Sequence, residues 1–534
     1  AEDGIRDVER SRGLGDVYKR QIIRSAGVVG LGTLLSRVLG LVRLQTIAYI
    51  FGSSRATDAF WMGFTLPNLL RSLLAEGALS AAFIPVFSEY LSTRGEKEAR
   101  KLANNVFTIL SLILTMTVGL GICLAPWYVP CLAFGFKGSP SQIDLTIRLT
   151  QVMFPFLFFI SLAAVAMAIL NCKAHFAAPA FAPLFFNIAI VLSAFLLAPK
   201  YGIYSLAIGV LIGGAVQFLF QVPPMIKRGF VYRPILSFKD PGVKKIARLM
   251  GPTILGGITL QANVIITRIF ASTLAAGSIS SLQYAMRLIQ LPLGLFAIAL
   301  STAIFPSLSS LASEEKLEEL RETTSLGIRT VFLVLIPSSV GLIIIREPLI
   351  RLLFEHGAFL QRDTLMTSQA LFYYSFGLAA MGEVMILTRA FYSLQDVLTP
   401  LKVSLFILAL NVLLNFLLIR PLKHSGLALA TSISMLVNML ILFFLLKRRL
   451  REMEGARIIN SLFKVSLISA AMGTGVRHLL RTISSPESSS LATQAFQVSL
   501  AVIAGLVIFC SLAYLIKLEE FKLVLQALKE KGRT

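Results

Sequence analysis

Six arginines stand inside long apolar stretches of this chain: Arg37, Arg43, Arg71, Arg268, Arg287 and Arg389. A guanidinium stays charged at any relevant pH, and its planar fork of donors grips phosphate through two parallel hydrogen bonds. Each would cost about 2.5–3.5 kcal/mol at the centre of a lipid-facing helix. Such a set is tolerated only beside water or beside acids. The acids in comparable surroundings are Asp58, Glu76, Glu89 and Glu383, fewer than the arginines. The surplus of fixed positive charge points to electrostatic capture of an anionic head group. Arg37, Arg43, Arg71 and Arg287 carry this reading. Arg268 and Arg389 suit ion pairing or a helix end equally well. Gln261, Asn263 and Thr267, and the pair Asn411 and Asn415 one turn apart, can either glue helices together or touch a ligand.

Covalent chemistry has no residues to work with. His175, His356, His424 and His478 are scattered, and no Walker A, GxSxG or HExxH motif occurs. Cys123, Cys131, Cys172 and Cys510 show no CxxC spacing, so neither a disulfide framework nor a zinc site is expected. Asp58, Glu76 and Glu89 do not form the acidic pair that an intramembrane transferase would need. The chain reads as a transporter and not an enzyme, with no ATP-driven step of its own.

The elements that must hold these arginines follow from composition. Of 534 residues, 56% are hydrophobic and only 15% charged, with a mean hydropathy of +0.77. A soluble domain carries about 25% charged residues, so a soluble fold is excluded. Apolar segments run at 22–51, 57–90, 104–130, 144–171, 178–199, 203–226, 248–276, 280–310, 327–346, 366–391, 397–420, 424–447, 460–482 and 494–516. Helices satisfy their own backbone in lipid, whereas open strands cannot. An all-α polytopic membrane protein with fourteen transmembrane helices is therefore expected.

The net charge of +22 would suggest nucleic acid in a soluble protein. Here it collects in loops after even-numbered helices, as in Lys227, Arg228, Arg233, Lys239, Lys244 and Lys245. Loops rich in Lys and Arg stay cytoplasmic, so both termini are placed inside and no nucleic-acid partner is expected. Within the basic loop, Asp240-Pro241 reads as a helix N-cap and first-turn proline.

Leu66-Pro67 through Ile84-Pro85 repeats as Leu291-Pro292 through Phe305-Pro306, an offset of six helices. An even offset preserves orientation, so the copies predict two pseudo-symmetric six-helix lobes around a central cavity. The organisation expected is a leader at 1–21, an N-terminal lobe at 22–226, a basic cytoplasmic linker at 227–247 and a C-terminal lobe at 248–447. Two further helices at 460–516 and an amphipathic cytoplasmic tail at 517–534 complete it. The leader is polar, without apolar period, and resembles translated adapter sequence. In the tail, Leu518, Phe521, Leu525 and Leu528 recur at helical spacing, which predicts a helix on the inner membrane surface.

Several motifs resemble the MurJ (MviN) family of the multidrug/oligosaccharidyl-lipid/polysaccharide flippase superfamily. They are Ser36-Arg37-Val38-Leu39-Gly40 with Arg43, Ala56-Thr57-Asp58-Ala59-Phe60, Leu66-Pro67-Asn68-Leu69-Leu70-Arg71 and Ala75-Glu76-Gly77-Ala78-Leu79-Ser80. Pro179-Ala180-Phe181-Ala182-Pro183 and Phe391-Tyr392-Ser393-Leu394-Gln395-Asp396 extend the match, which runs from about residue 22 to 516. The resemblance implies a flippase for lipid II, an undecaprenyl-pyrophosphate-linked disaccharide-pentapeptide, working as a monomer in the bacterial inner membrane. It implies substrate-binding roles for Arg37, Arg43, Arg71, Arg287 and Asp58, with Ser36 and Glu76 beside them; Gln261 joins them from the reading of the polar residues above. It also implies that the two last helices shape a groove for the lipid tail among membrane lipids. The chain departs from some members at Leu44, Ser72 and Met286, where charged residues occur. A sodium site proposed for some members maps to Thr267, Asn411, Asn415 and Thr431, a neutral set beside Arg268. Sodium coupling and coupling to membrane potential alone both stay open. A multidrug antiporter would favour acids in the cavity, and a membrane scaffold would leave the arginines without a purpose.

Overall fold

A computed structural model shows a chain built of helices, with no strand among the described residues, 2–483 and 490–531. Side chains before Gly27 and those of 75–78, 252–253, 255–256, 259–260, 524 and 527–531 fall outside this description, and with them the side chains of Glu76, of Leu528 in the tail and of the leader at 1–21. The chain divides into two compact units: residues 1–51 with 59–261, and residues 52–58 with 262–534. The division cuts the seventh predicted segment, and the last two helices fall in the second unit.

The first unit holds α1 (Glu2–Phe51), the part of α2 (Arg55–Gly63) after Asp58, α3 (Thr65–Arg71), a π-helical turn (Ser72–Leu79) and α4 (Ser80–Thr93). It continues with α5 (Gly95–Leu132), α6 (Pro140–Met153), α7 (Phe156–Cys172), α8 (Ala177–Tyr201), α9 (Tyr204–Leu219), α10 (Val222–Lys227) and most of α11 (Pro241–Ser272). Lipid chains are as apolar as leucine, so these helices must gain from close packing and hydrogen bonds. At Gly32 of α1, a Cβ would lie 2.7 Å from the Ala180 carbonyl of α8. Phe83, Phe87, Leu102, Phe107, Phe154 and Leu170 close a buried core.

The basic linker is strapped along α5. Asn105 Nδ2 donates to the Ser237 carbonyl, and Ser237 N donates to Asn105 Oδ1, both at 2.8 Å. Asp240 caps α11 by accepting from Gly242 N at 2.7 Å, the role its Asp-Pro sequence predicts.

The second unit holds α12 (Ser278–Pro292), a π-helical turn (Leu293–Ala297), α13 (Ile298–Ser313), α14 (Leu317–Phe354), α15 (Gln361–Ser375) and α16 (Leu378–Ser393). Then come α17 (Leu398–Arg449), α18 (Gly455–Ile483), α19 (Leu491–Leu515) and α20 (Glu519–Lys531). Each half of the sequence repeat thus contains a π-helical turn shortly after its Leu-Pro, and such turns are frequent at functional sites.

Helices α18 and α19 join this unit by packing on α14, through Leu333, Ile345, Val465, Ile468, Met472 and Phe509. Their outer faces expose Ile459, Phe463, Leu467, Ile503 and Leu506. The tail expected on the membrane surface is tied to the protein at its start. Leu518 and Phe521 pack into the same cluster, and Arg329 of α14 donates to Glu519 at 3.1 Å and to buried Glu520 at 2.9 Å.

Among the described residues, ten helices are long and apolar enough to cross a membrane, or eleven with the bent pair α15–α16 as one span. The 52-residue α17 is two helices joined at Lys423, whose φ is +52°. Helices α2–α4 and α11 fall on the second and seventh predicted segments. The chain is a multi-pass membrane protein, and this inventory fits fourteen crossings.

Candidate substrate-binding site

Three of the predicted arginines lie in the first unit. Ser36 and Arg37 are half-buried on α1, where Asn187 Nδ2 of α8 donates to the Ser36 carbonyl at 3.4 Å. Two turns on, the Arg43 guanidinium stands 5.5 Å from the centre of the Phe186 ring. The adjacent Leu44, Ile47 and Ala48 are buried and fix the rotation of α1. Arg71 ends α3, and its Nε donates to Asn68 Oδ1 at 3.0 Å immediately before the π-helical turn. The wide turn rotates the helix that follows relative to α3. Gln261 is half-buried on α11, at the last position of this unit.

Arg287 lies in the second unit on α12, half-buried, with Nη1 donating to Gln290 Oε1 at 3.3 Å. Asp58 fixes the start of that helix. Its Oδ1 accepts from Ser280 N at 2.8 Å and Ser280 Oγ at 2.6 Å, and its Oδ2 accepts from Gly277 N at 2.7 Å. A carboxylate at a helix N-terminus satisfies orphan N–H groups and meets the positive end of the dipole. Asp58 is thus a buried clamp on the helix that carries Arg287.

The rest of segment 52–58 is equally bound. Ser53 Oγ lies 3.1 Å from Ser281 Oγ, Ser53 N donates to Asp363 at 3.4 Å, and Tyr284 donates its hydroxyl to the Gly52 carbonyl at 3.3 Å. Gly52 and Gly277 both have positive φ, and a Cβ on either would meet a carbonyl oxygen at 2.3 Å or 2.5 Å.

A cavity of about 130 Å³ opens between α11, α12, α15 and α17. Thr267 and Thr431 line it, together with Arg268, Asn263, Gln283 and Tyr374, and Arg268 Nη2 donates to Gln283 Oε1 at 3.1 Å. Asn411 and Asn415 do not line it. They are fully buried on α17, where Asn415 donates to Asn411 Oδ1 at 2.8 Å and Asn411 donates to Ser434 Oγ at 3.2 Å. Two of the four residues thus line the cavity and two do not, and Asn415 Oδ1 and the cavity's Asn263 Oδ1 have no hydrogen-bond partner among the described residues. The oxygens on offer are neutral, one amide oxygen is already bonded, and a guanidinium shares the cavity. A neutral oxygen set beside a guanidinium makes a weak sodium site. No cluster of three His, Cys, Asp or Glu residues suited to a metal occurs among the described residues.

The other ionisable residues have local explanations. Glu89 pairs with Lys245 at 2.5 Å, and the Arg389 guanidinium stands 5.2 Å from the Phe305 ring centre. Glu383 is the exception. It is 1% exposed on α16, and neither carboxyl oxygen has a hydrogen-bond partner among the described residues. Sequence reasoning placed it among the counter-charges, whereas no salt bridge reaches it among the described residues. Reading by sequence missed Gln283 and Tyr374, which only the folded second unit brings to Arg268. It also missed the partners of Asp58, which lie more than two hundred residues away.

Comparison with known proteins is consistent across three kinds of likeness. The family model described as "Lipid II flippase MurJ" matches residues 47–497. A "Probable lipid II flippase MurJ" of Buchnera aphidicola subsp. Acyrthosiphon pisum (strain APS) is 39% identical over 426 residues, covering 79% of this chain and 83% of the relative. The "Lipid II flippase MurJ" of Burkholderia cenocepacia is 36% identical over 423 residues, covering 78% and 82%. Among solved structures, "Lipid II flippase MurJ, inward closed conformation" matches with a TM-score of 0.77 and 30% identity, covering 91% of this chain and 98% of that one. An inward-facing multidrug resistance MATE transporter of the MOP superfamily matches with a TM-score of 0.66 at 18% identity, over 78% of this chain and 94% of that one, a likeness of fold alone.

Proposed function

The chain belongs to the lipid II flippase MurJ family, and from that premise we propose that it translocates lipid II from the inner to the outer leaflet of the bacterial cytoplasmic membrane by alternating access. The observation that carries this reading is the family match over residues 47–497, which includes Arg71 and Arg287. The arginines give it a mechanism. Arg37, Arg43, Arg71 and Arg287 hold the pyrophosphate, while the polyprenyl tail stays in the membrane along the apolar faces of α18 and α19. Guanidinium groups suit this task because they bind phosphate oxygens in pairs and remain charged. Asp58 acts as a positioning residue for α12, and Ser36, Glu76 and Gln261 support the polar surface. No covalent step is involved, so the protein is a transporter and not an enzyme.

The basic linker and the other Lys- and Arg-rich loops face the cytoplasm, which places both termini inside. The protein works as a monomer. The Thr267, Asn411, Asn415 and Thr431 set is too weak a sodium site to drive the cycle, and no cofactor takes part.

The test is complementation of a strain depleted of its own lipid II flippase, with direct assay of lipid II movement in reconstituted vesicles. Rescue with lipid II transport is the expected result. A well-expressed protein that neither rescues nor moves lipid II would reject the proposal.

A further inference from the structure

A second cavity, of about 350 Å³, lies in the second unit, apart from the residues given roles above. Its lining includes Arg346 of α14, Gln369, Phe372 and Tyr373 of α15, and Lys423 and Ser425 of α17. Among the described residues, no carboxylate lines it. Arg346 stands over the Phe372 ring at 5.0 Å and, among the described residues, donates only to the Ile343 carbonyl of its own helix, at 2.5 Å. The neighbouring acid, Glu347, is engaged instead by Arg351 at 3.1 Å. Lys423 forms no ion pair among the described residues, and its backbone has a φ of +52°, a region that favours glycine. Strained backbone that presents a side chain to a cavity is a recognised mark of a binding position.

Depth in the membrane follows from the sequence. Arg346 closes the ninth apolar segment, Gln369 lies near the start of the tenth, and Lys423 sits between the eleventh and twelfth. All three mark one membrane boundary, the outer one on the orientation proposed above. Exposed Phe376, Phe416 and Leu417 follow along the same segments toward the membrane interior. Two cations, an amide and two aromatic rings at head-group depth, above an apolar surface, match the parts of an anionic lipid.

We propose that the cavity lined by Arg346, Lys423, Gln369 and Tyr373 binds a lipid-borne phosphate, with the acyl chains lying on the apolar surface beside it. Two sources offer that chemistry: a resident anionic phospholipid, and the pyrophosphate of the transported lipid.

The experiment measures lipid retention by the purified full-length protein, using native mass spectrometry with phosphatidylglycerol and, separately, phosphatidylethanolamine. Each basic residue near an anionic lipid contributes enough for about a fivefold change in binding. Lys423→Gly and Arg346→Gln should each lower phosphatidylglycerol retention about fivefold, and the double variant about twenty-five-fold, with phosphatidylethanolamine unchanged. Lys423→Gly removes the cation while relaxing the backbone, so it keeps the test valid if Arg346→Gln unfolds the protein. A polyprenyl pyrophosphate added in excess separates the sources: undisturbed phosphatidylglycerol means a resident lipid, and displacement means the cargo. Equal retention by the wild type and Lys423→Gly would overturn the site. The readout is independent of transport, so it stands or falls apart from the flippase proposal.

Discussion

A guanidinium kept half-buried on a membrane helix must serve either packing or a ligand, and substitution separates the two. Lysine preserves the charge and loses the fork; alanine loses both. At Arg37, Arg43, Arg71 and Arg287 we expect Arg→Lys to impair lipid II flipping and Arg→Ala to abolish growth rescue. A lost charge-assisted contact of about 1.5–3 kcal/mol corresponds to roughly a ten- to hundredfold fall in rate. Membrane expression should be unchanged throughout. Arg268, bonded to Gln283, and Arg389, stacked on Phe305, should tolerate Arg→Lys far better. Full activity of Arg37→Ala and Arg287→Ala would return these residues to structural roles. Asp58 behaves differently. Its oxygens are taken by Gly277 and Ser280, so Asp58→Ala should lower thermal stability in detergent by about 1–3 kcal/mol as well as activity. The arginines were legible because a charge inside an apolar run stands out in one dimension. The partners of Asp58 were not, because no local pattern records a contact to Ser280.

Local rules carry the helices a long way. Each of the fourteen apolar segments falls on helix, and Asp240 caps α11 as its sequence requires. Two features escaped those rules. The π-helical turns at Ser72–Leu79 and Leu293–Ala297 carry no composition of their own, and the Leu-Pro repeat marks only their neighbourhood. The tail shows helical period in sequence, yet its docking depends on Arg329, an interior cation of α14 whose partners lie 190 and 191 residues away. Glu519 is 75% exposed on its side chain and should contribute little, whereas Glu520 is buried. Breaking a buried pair strands the other charge, at a cost of about 3–5 kcal/mol. Glu520→Gln should therefore lower thermal stability, and Arg329→Met with Glu520→Leu should recover most of the loss. Equal melting temperatures for the wild type and Glu520→Gln would show that the tail is not held by this pair. Glu383 makes the converse case. Its carboxyl has no donor to lose, so Glu383→Met should leave stability unchanged or raise it.

At the scale of the whole protein, the remaining question is what drives the cycle. A pyrophosphate moving outward across an inside-negative membrane gains about 2.3 kcal/mol per charge for each 100 mV. That gain needs no second ion. The cavity in which a cation would be sought is lined by Thr267 and Thr431 but also by Arg268, a cation fixed to the chain, and Asn411 and Asn415 are bonded to each other and to Ser434 instead. A tethered guanidinium repels a dissociable cation, and neutral oxygens do not offset that repulsion. Lipid II flipping by this protein should therefore slow when the membrane potential is dissipated and stay unchanged when external and internal sodium is replaced by potassium or choline at constant potential. The measurement is the initial flipping rate in vesicles with the potential clamped and the cation varied. Sodium-stimulated flipping at zero potential, lost in Thr267→Ala or Thr431→Ala, would show that an ion enters beside Arg268 and would overturn the assignment of the driving force to the charge of the substrate.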